Sequence, residues 1–357
     1  MTEKEILDLL RQVRHPARGD RDIVELGMVH SVVLSTEADN NKAAAVVTLS
    51  FPKHRDPLAE YLIGATRAAL IRGGVSEPKV ETVVLADTAP KKKGMEFDTE
   101  GLRNVRHIVG VASGKGGVGK STVAVNLACA LARLGYKVGL ADADVYGPSV
   151  PLMTGTEGLQ PMMEEVDGRE LMVPLEKYGV KWMSIGYFAE RGQALIWRGP
   201  MASNALKQMI LQVKWGTLDF LLVDMPPGTG DIHISLLQEV PMEGALLVTT
   251  PQEVALADVE KGAAMFRNKN IDRPIFGLVE NMAWFTPAEH PDEKYFIFGH
   301  DGGSRMADRL GIELLGRIPL VQSICESGDA GEPAALGTRP DAAAFLELAG
   351  IFANKLG

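Results

Sequence analysis

Eight consecutive residues, Gly114-Lys115-Gly116-Gly117-Val118-Gly119-Lys120-Ser121, carry most of the chemistry legible in this chain. Gly114, Gly119, Lys120 and Ser121 satisfy the phosphate-loop pattern G-x-x-x-x-G-K-[S/T]. Glycines let successive backbone N–H groups turn inward as an anion nest, and a helix starting at Lys120 adds its positive end. Lys120 would reach the β- and γ-phosphates of ATP, and the Ser121 hydroxyl would ligate Mg2+. Residues 114–122, with Thr122 the last, form the expected phosphate cradle. The same stretch also spells G-x-G-x-x-G through Gly114, Gly116 and Gly119. Asp142 even lies 23 residues past Gly119, near where a dinucleotide fold places its ribose carboxylate. Two features favour the triphosphate reading. Lys120-Ser121 has no task in the dinucleotide fingerprint, and a second carboxylate, Asp224, follows the apolar run Leu218–Val223 as a metal-side acid should.

Such a nest needs a strand to deliver it and a helix to receive it. The apolar run 107–112 leads into the glycines, and a helix is expected from Lys120 to about Leu134, stopped by Gly135. Further strands are expected at 137–141, 220–223, 244–249 and 275–279, with helical stretches between them. That alternation predicts an α/β fold with a doubly wound, mainly parallel sheet, whose ligands bind at the carboxyl ends of the strands. The first 88 residues read as a separate small α/β domain. Ile6, Leu9, Leu10 and Val13 recur at helical spacing up to His15-Pro16, strands are expected at 28–34, 43–49 and 79–85, and a second helix at about 57–72. Residues 89–105 are polar, contain Lys91-Lys92-Lys93 and lack periodicity, so a linker is expected there, with the second domain spanning 106–357.

Composition narrows the setting. The chain has 357 residues, long enough for two domains, and a 46% apolar fraction sufficient for a sizeable core. With 37 basic against 46 acidic residues the net charge is −9, which offers no global field for nucleic acid. No run approaches a membrane span, and the charged first residues lack the apolar stretch of a secretion signal. Only Cys129 and Cys325 occur, too few for a disulfide framework, so a reducing cytoplasm is expected.

Lys115 is not part of the minimal motif, and a solvated loop lysine is its plain reading. The whole string 114–121, however, resembles the deviant Walker-A loop of the MinD, ParA and nitrogenase-iron-protein class. That resemblance implies a nucleotide-dependent homodimer in which Lys115 crosses to the partner's nucleotide, a cation neutralising developing phosphoryl charge. The run 140–145 fits the same class: Asp142 would hold Mg2+ through water, and Asp144 would orient or activate the attacking water. Read without the resemblance, the two are also a pair of loop-capping aspartates. Residues 224–231 would supply a second switch, with Asp224 at the metal, prolines stiffening the turn and the Gly228 amide sensing the γ-phosphate.

Longer matches narrow the class. The stretches 142–151, 197–201, 215–219, 224–231, 280–282, 298–303 and 329–333 together resemble the Mrp family of iron–sulfur carrier ATPases, over about 106–346. The first ninety residues are similar, more loosely, to a small domain that recurs in iron–sulfur assembly factors. By this resemblance Asn281 would hydrogen-bond the adenine edge; a strand-end turn former is the equal alternative. Trp197 and Trp215 are expected to pack rather than touch ligand.

The chain also departs from that family. Most Mrp-like carriers have Cys-x-x-Cys shortly after the Asn-Met pair, whereas here 283–292 contains Thr286, Glu289 and His290 but no cysteine. The small domain likewise shows Ser50 and His54 in a stretch, 50–56, where relatives often carry a thiol. Thiolates are the usual cluster ligands. Cys129 reads as a buried small hydrophobe and Cys325 as a residue of an exposed loop, and two copies of Cys325 fall short of four ligands. The expected function is an ATP-binding and -hydrolysing iron–sulfur carrier or assembly factor with slow turnover, acting on apo-protein clients as a homodimer. A MinD- or ParA-like positioning switch is the first alternative, a nucleotide-regulated adaptor without its own cluster the second. The C-terminal helix, with Phe345, Leu348, Phe352 and Leu356 on one face but only Lys355 as a cation, is expected to pack on its domain rather than on a membrane.

Overall fold

The computed structural model describes residues 2–16, 21–36, 43–51, 58–84, 99–166, 168–188 and 199–357. The chain divides into two compact units, Met1–Glu96 and Phe97–Gly357. In the smaller unit, helix α1 (Glu3–Leu10) starts at a reciprocal cap. Glu5 N–H donates to Thr2 Oγ1 at 3.4 Å and Thr2 N–H donates to Glu5 Oε2 at 2.8 Å. The helix ends at Leu10, earlier than the apolar spacing suggests, yet Val13 still reaches the core from the following turn. Strands β1 (Val29–Thr36), β2 (Ala43–Phe51) and β3 (Glu77–Val84) form a sheet in that order, with β1 antiparallel and β3 parallel to β2. Helix α2 (Ala59–Arg72) makes the parallel crossover, and Ile6, Leu10, Val47, Leu49, Leu62 and Leu70 fill the core. His54, Pro57, Leu85 and the Lys91–Lys93 run lie outside the described residues.

The larger unit is an eight-stranded sheet in two wings around its first strand. In chain order the elements are β4 (Val105–Ser113), α3 (Lys120–Arg133), β5 (Val138–Asp142), α4 (Val150–Met153), and the strands β6 (Met162–Val166), β7 (Arg169–Val173), β8 (Leu175–Lys177) and β9 (Val180–Ser184). There follow α5 (Gly199–Leu211), β10 (Leu218–Asp224), α6 (Asp231–Glu239), β11 (Gly244–Thr249), α7 (Glu253–Phe266), β12 (Ile275–Glu280), α8 (Gly302–Leu310), β13 (Leu314–Arg317), α9 (Gln322–Asp329) and α10 (Pro340–Leu356). The order across the sheet is β13-β12-β11-β4-β10-β5-β9-β8, parallel except for β8. This is the expected doubly wound fold. Its central strands are buried on both faces, which is why they read as nearly continuous apolar runs.

Side chains alternate between two cores. Ile108 and Ala112 of β4 face the layer of α5, α6 and α7, while Val109 and Val111 face α3 and α10. Phe345, Leu348 and Phe352 of α10 are fully buried there and Leu356 is half-buried, so the apolar face of that helix is spent inside its own domain. Trp215 is core as expected, its Nε1 donating to Ile210 O at 2.9 Å; Trp197 lies outside the described residues. Leu102 is buried in a short turn (Thr99–Leu102) before β4, so residues just ahead of that strand pack with the larger unit. No described helix is long and apolar enough to cross a membrane.

Candidate functional site

The glycine loop joins β4 to α3 at the carboxyl end of the sheet, and its glycines are dictated by geometry. Gly117 and Gly119 have φ of 83° and 78°, the left-handed region that side chains avoid, and Gly119 caps α3. A Cβ on Gly114 would run into the backbone of Asp258 in α7, and one on Gly119 into the Asn281 amide. Ser113 Oγ donates to Lys115 O at 2.9 Å and bends the chain out of the strand. Val118 is buried beneath the loop, while Gly116 and Gly117 are exposed. Lys115 is half-buried, and among the described residues its ammonium makes no ion pair or hydrogen bond.

Lys120, the first residue of α3, points into a pocket of carboxylates. Its Nζ lies 2.5 Å from Asp224 Oδ1, 3.2 Å from Ser121 Oγ and 3.8 Å from Asp144 Oδ2. Asp142 ends β5 and Asp224 ends β10, and the strand register sets them directly side by side. Asp142 is fully buried. Its Oδ1 accepts the Asp144 N–H at 3.2 Å, and its Oδ2 accepts Ser184 Oγ–H at 2.8 Å and the Val150 N–H at 3.3 Å. Asp144 Oδ1 caps its own loop, accepting from Tyr146 and Gly147, while Oδ2 turns to Lys120.

Two buried acids facing each other cannot both ionise freely. Burial, then the Asp224 charge, pushes the Asp142 carboxyl up to about 7 against the opposing pull of Ser184 and Lys120. Burial also raises Asp224, with Lys120 pulling it back. Asp224 Oδ2 is buried and has no hydrogen-bond partner. An orphaned carboxylate oxygen beside a second buried carboxylate and a serine hydroxyl is the donor set that a hard divalent cation takes, so the residues present fit Mg2+.

The remaining expected site residues are arranged around this pocket. Gly228 has φ of 89°, and its N–H donates to Ser113 O at 3.2 Å, which ties the switch turn to the end of β4. His233 Nε2 donates to Pro226 O at 2.7 Å from within α6. That bond fixes the imidazole tautomer, and burial pushes its pKa down, so the ring is neutral. Asn281 follows β12 and its Nδ2 donates to Val118 O at 2.8 Å, anchoring the phosphate loop from the other wing. Thr122, Asn126, Asn281, Met282, Leu320 and Cys325 line a cavity of about 300 Å³ beside α3. Of these, Asn126, Met282 and Leu320 were not expected at the site; the Asn-Met pair and the Pro319 that follows β13 are the only hints in the sequence.

The sulfur sites are sparse. Cys129 is buried inside α3 and burial pushes its thiol up to about 12. Cys325 is exposed, but it sits in helix α9 rather than in the expected loop, because 322–329 carries no breaker until Gly328. The segment that follows Met282 is tied back by its own contacts: Phe285 bridges to Tyr295 and to Leu320, and Lys294 Nζ stands 4.1 Å from the centre of the Trp284 ring. Thr286, Glu289 and His290 lie in this segment, and among the described residues no group of three or more acids, histidines and cysteines gathers there or elsewhere as a metal site.

Comparison with known proteins bears on the family and the fold. Residues 104–353 match the family described as ParA, the NUBPL iron-transfer P-loop NTPase, and residues 3–84 match the iron–sulfur cluster assembly protein family. The iron–sulfur cluster carrier protein of Synechocystis sp. is 40% identical over 98% of this chain and 96% of its own length. The mouse iron–sulfur cluster transfer protein NUBPL is 44% identical over 77% of this chain and 83% of its own. Among solved structures, a nucleotide-binding protein from Archaeoglobus fulgidus in complex with ADP is 33% identical over 69% of this chain and 94% of its own, with a TM-score of 0.58. The MinD cell-division ATPase of Pyrococcus furiosus, 24% identical over 70% of this chain and 98% of its own with a TM-score of 0.50, shares the fold.

Proposed function

This chain belongs to the NUBPL-type iron-transfer P-loop NTPase family, and we propose that it is an ATP-hydrolysing iron–sulfur cluster carrier or assembly factor of the Mrp type. The observation that carries the reading is the Lys120 ammonium set among Asp142, Asp144 and Asp224 at the mouth of the glycine nest. Lys120 is paired with Asp224. When a triphosphate enters, the inward amides of 114–119 and the α3 terminus take its oxygens, and Lys120 turns to the β- and γ-phosphates. That frees Asp224 from its pairing with Lys120, and Asp224, Asp142 and Ser121 would together hold Mg2+. The chemistry that Mg2+ would supply there is positive charge against the triphosphate. Asp144 Oδ2 accepts a proton from the attacking water, and the Gly228 amide leaves Ser113 O for the γ-phosphate. Asn281 borders the cavity in which the adenine lies.

Among the described residues no carboxylate pairs with Lys115, which supports its role across a homodimer, with each chain completing its partner's site. The small unit, whose described residues end at Val84, and the larger unit from residue 99 act as client-facing and motor modules. The cluster is cargo rather than a resident group. With Cys129 inside the core, a dimer exposes two Cys325 thiols, so the remaining sulfur ligands come from an apo-protein client or an assembly partner. The missing Cys-x-x-Cys equally supports a second reading, a nucleotide-regulated adaptor that holds no cluster.

Turnover decides the enzymatic part. The full chain with MgATP should hydrolyse at a specific rate that rises with chain concentration, and Lys115→Ala should lower turnover by on the order of 10³-fold while ADP affinity persists. Failure to retain ATP or ADP by calorimetry, or an inert Lys120→Ala, would overturn it. Anaerobic reconstitution with iron and sulfide, with and without apo-client and repeated with Cys325→Ala, separates carrier from adaptor.

A further inference from the structure

Behind the magnesium side of the site lies a strand the family motifs do not include. Strand β9 pairs in parallel with β5, and its last residue, Ser184, stands directly opposite Asp142. The Ser184 hydroxyl is fully buried. It donates to Asp142 Oδ2 at 2.8 Å and accepts the Gly186 N–H at 3.0 Å, so the proton of that hydroxyl has one direction. The turn that follows (Ile185–Phe188) is fixed by a chain of buried hydroxyls. Tyr187 Oη lies 2.8 Å from Thr156 Oγ1, which lies 2.8 Å from Thr154 Oγ1, whose proton goes to Val150 O. The Val150 N–H is itself the other donor on Asp142 Oδ2. Both contacts on that oxygen thus come from one braced block, and they leave the carboxylate a single rotamer.

We propose that Ser184 is a positioning residue for the cation, aiming Asp142 so that its carboxylate meets magnesium without reorganising. The inference rests on the assignment of Asp142 to Mg2+ given above. A hydroxyl that holds a ligand carboxylate in this way fixes the orientation of the ligand, and losing such a partner typically weakens metal binding by about 10–100-fold. Ser184→Ala removes one oxygen from a packed site and adds no volume, so the fold survives it.

The test uses the full chain loaded with ADP, with Mn2+ followed by electron paramagnetic resonance and Mg2+ by calorimetry. ADP affinity in chelator should stay within about twofold in Ser184→Ala, while Mn2+ and Mg2+ affinities fall by about 10–100-fold. Tyr187→Phe removes a buried hydroxyl of the same block without touching the carboxylate. It should lower the melting temperature yet weaken cation binding by no more than about twofold, far less than Ser184→Ala, and an equal loss in both variants would mean general loosening and overturn the inference. If Asp142→Asn loses the cation and Ser184→Ala does not, the inference about Ser184 is wrong while the assignment of Asp142 stands. If Asp142→Asn keeps full cation affinity, both fall.

Discussion

On the proposed assignment of Asp142 to Mg2+, a buried carboxyl at about 7 makes cation binding depend on pH within the physiological range. Magnesium takes the ionised form of Asp142, whereas burial and the neighbouring Asp224 favour the neutral form, so binding must expel a proton when the pH lies below 7. The apparent affinity scales with the ionised fraction, which is roughly one tenth at pH 6 and roughly nine tenths at pH 8 for a group at about 7. Mg2+ affinity for the ADP-loaded chain should therefore rise about tenfold between those values, or about 1.4 kcal/mol. The assay is calorimetric titration of Mg2+ in buffers of different ionisation enthalpy, which counts the protons released: close to one at pH 6 and close to none at pH 8. ADP titrates in the same range, so Asp142→Asn supplies the slope due to nucleotide alone. A wild-type slope no steeper than that of Asp142→Asn would refute the reasoning.

Three further outcomes follow from the same geometry. Asp142 and Asp224 are both raised on folding, so the stability linked to their protonation is complete below the ordinary carboxylate range and is lost as pH rises, for Asp142 through about 7. Nucleotide-free Asp142→Asn should accordingly melt above the unaltered chain at pH 8 and show a flatter profile from pH 5 to 8, read by calorimetric scanning. Maleimide should label Cys325 and spare Cys129 in the native chain; since Cys325 lines the cavity beside Thr122 and Asn281, bound ADP should slow that labelling, measured by intact mass. Gly119→Ala forces a side chain into left-handed backbone and against the Asn281 amide, which should cost about 1–3 kcal/mol of local strain and abolish ADP binding while far-ultraviolet circular dichroism persists.

The sequence made the motor half of the molecule readable because its strands are buried on both faces and its glycines cannot be replaced. Strands β4, β10, β11 and β12 announce themselves as unbroken apolar runs, and 114–121 admits few backbones. Strands β6 to β9 escaped because they carry the opposite signal: β6 is exposed almost throughout and contains Glu164 and Glu165, and β8 has three residues. β9 hides its role in ordinary residues, and nothing but its register brings Ser184 to Asp142. Strand β13 and helix α9 were missed because four apolar-rich residues and a run of Ser, Glu and Gly leave little periodicity. Asn281 illustrates a different limit, since its hydrogen bond to Val118 O spans 163 residues and no local pattern encodes it.

Ser184, Asp142 and Asp224 lie on one rung across three adjacent strands. A slip of one residue in any of these strands would turn its polar group to the opposite face and bury a lone acid in hydrocarbon. This rung of polar groups thus acts as a checksum on sheet assembly. A chain that has paired β5 with β9 but lacks β10 holds two of the three positions, and the rung is complete only once β10 lies between β4 and β5.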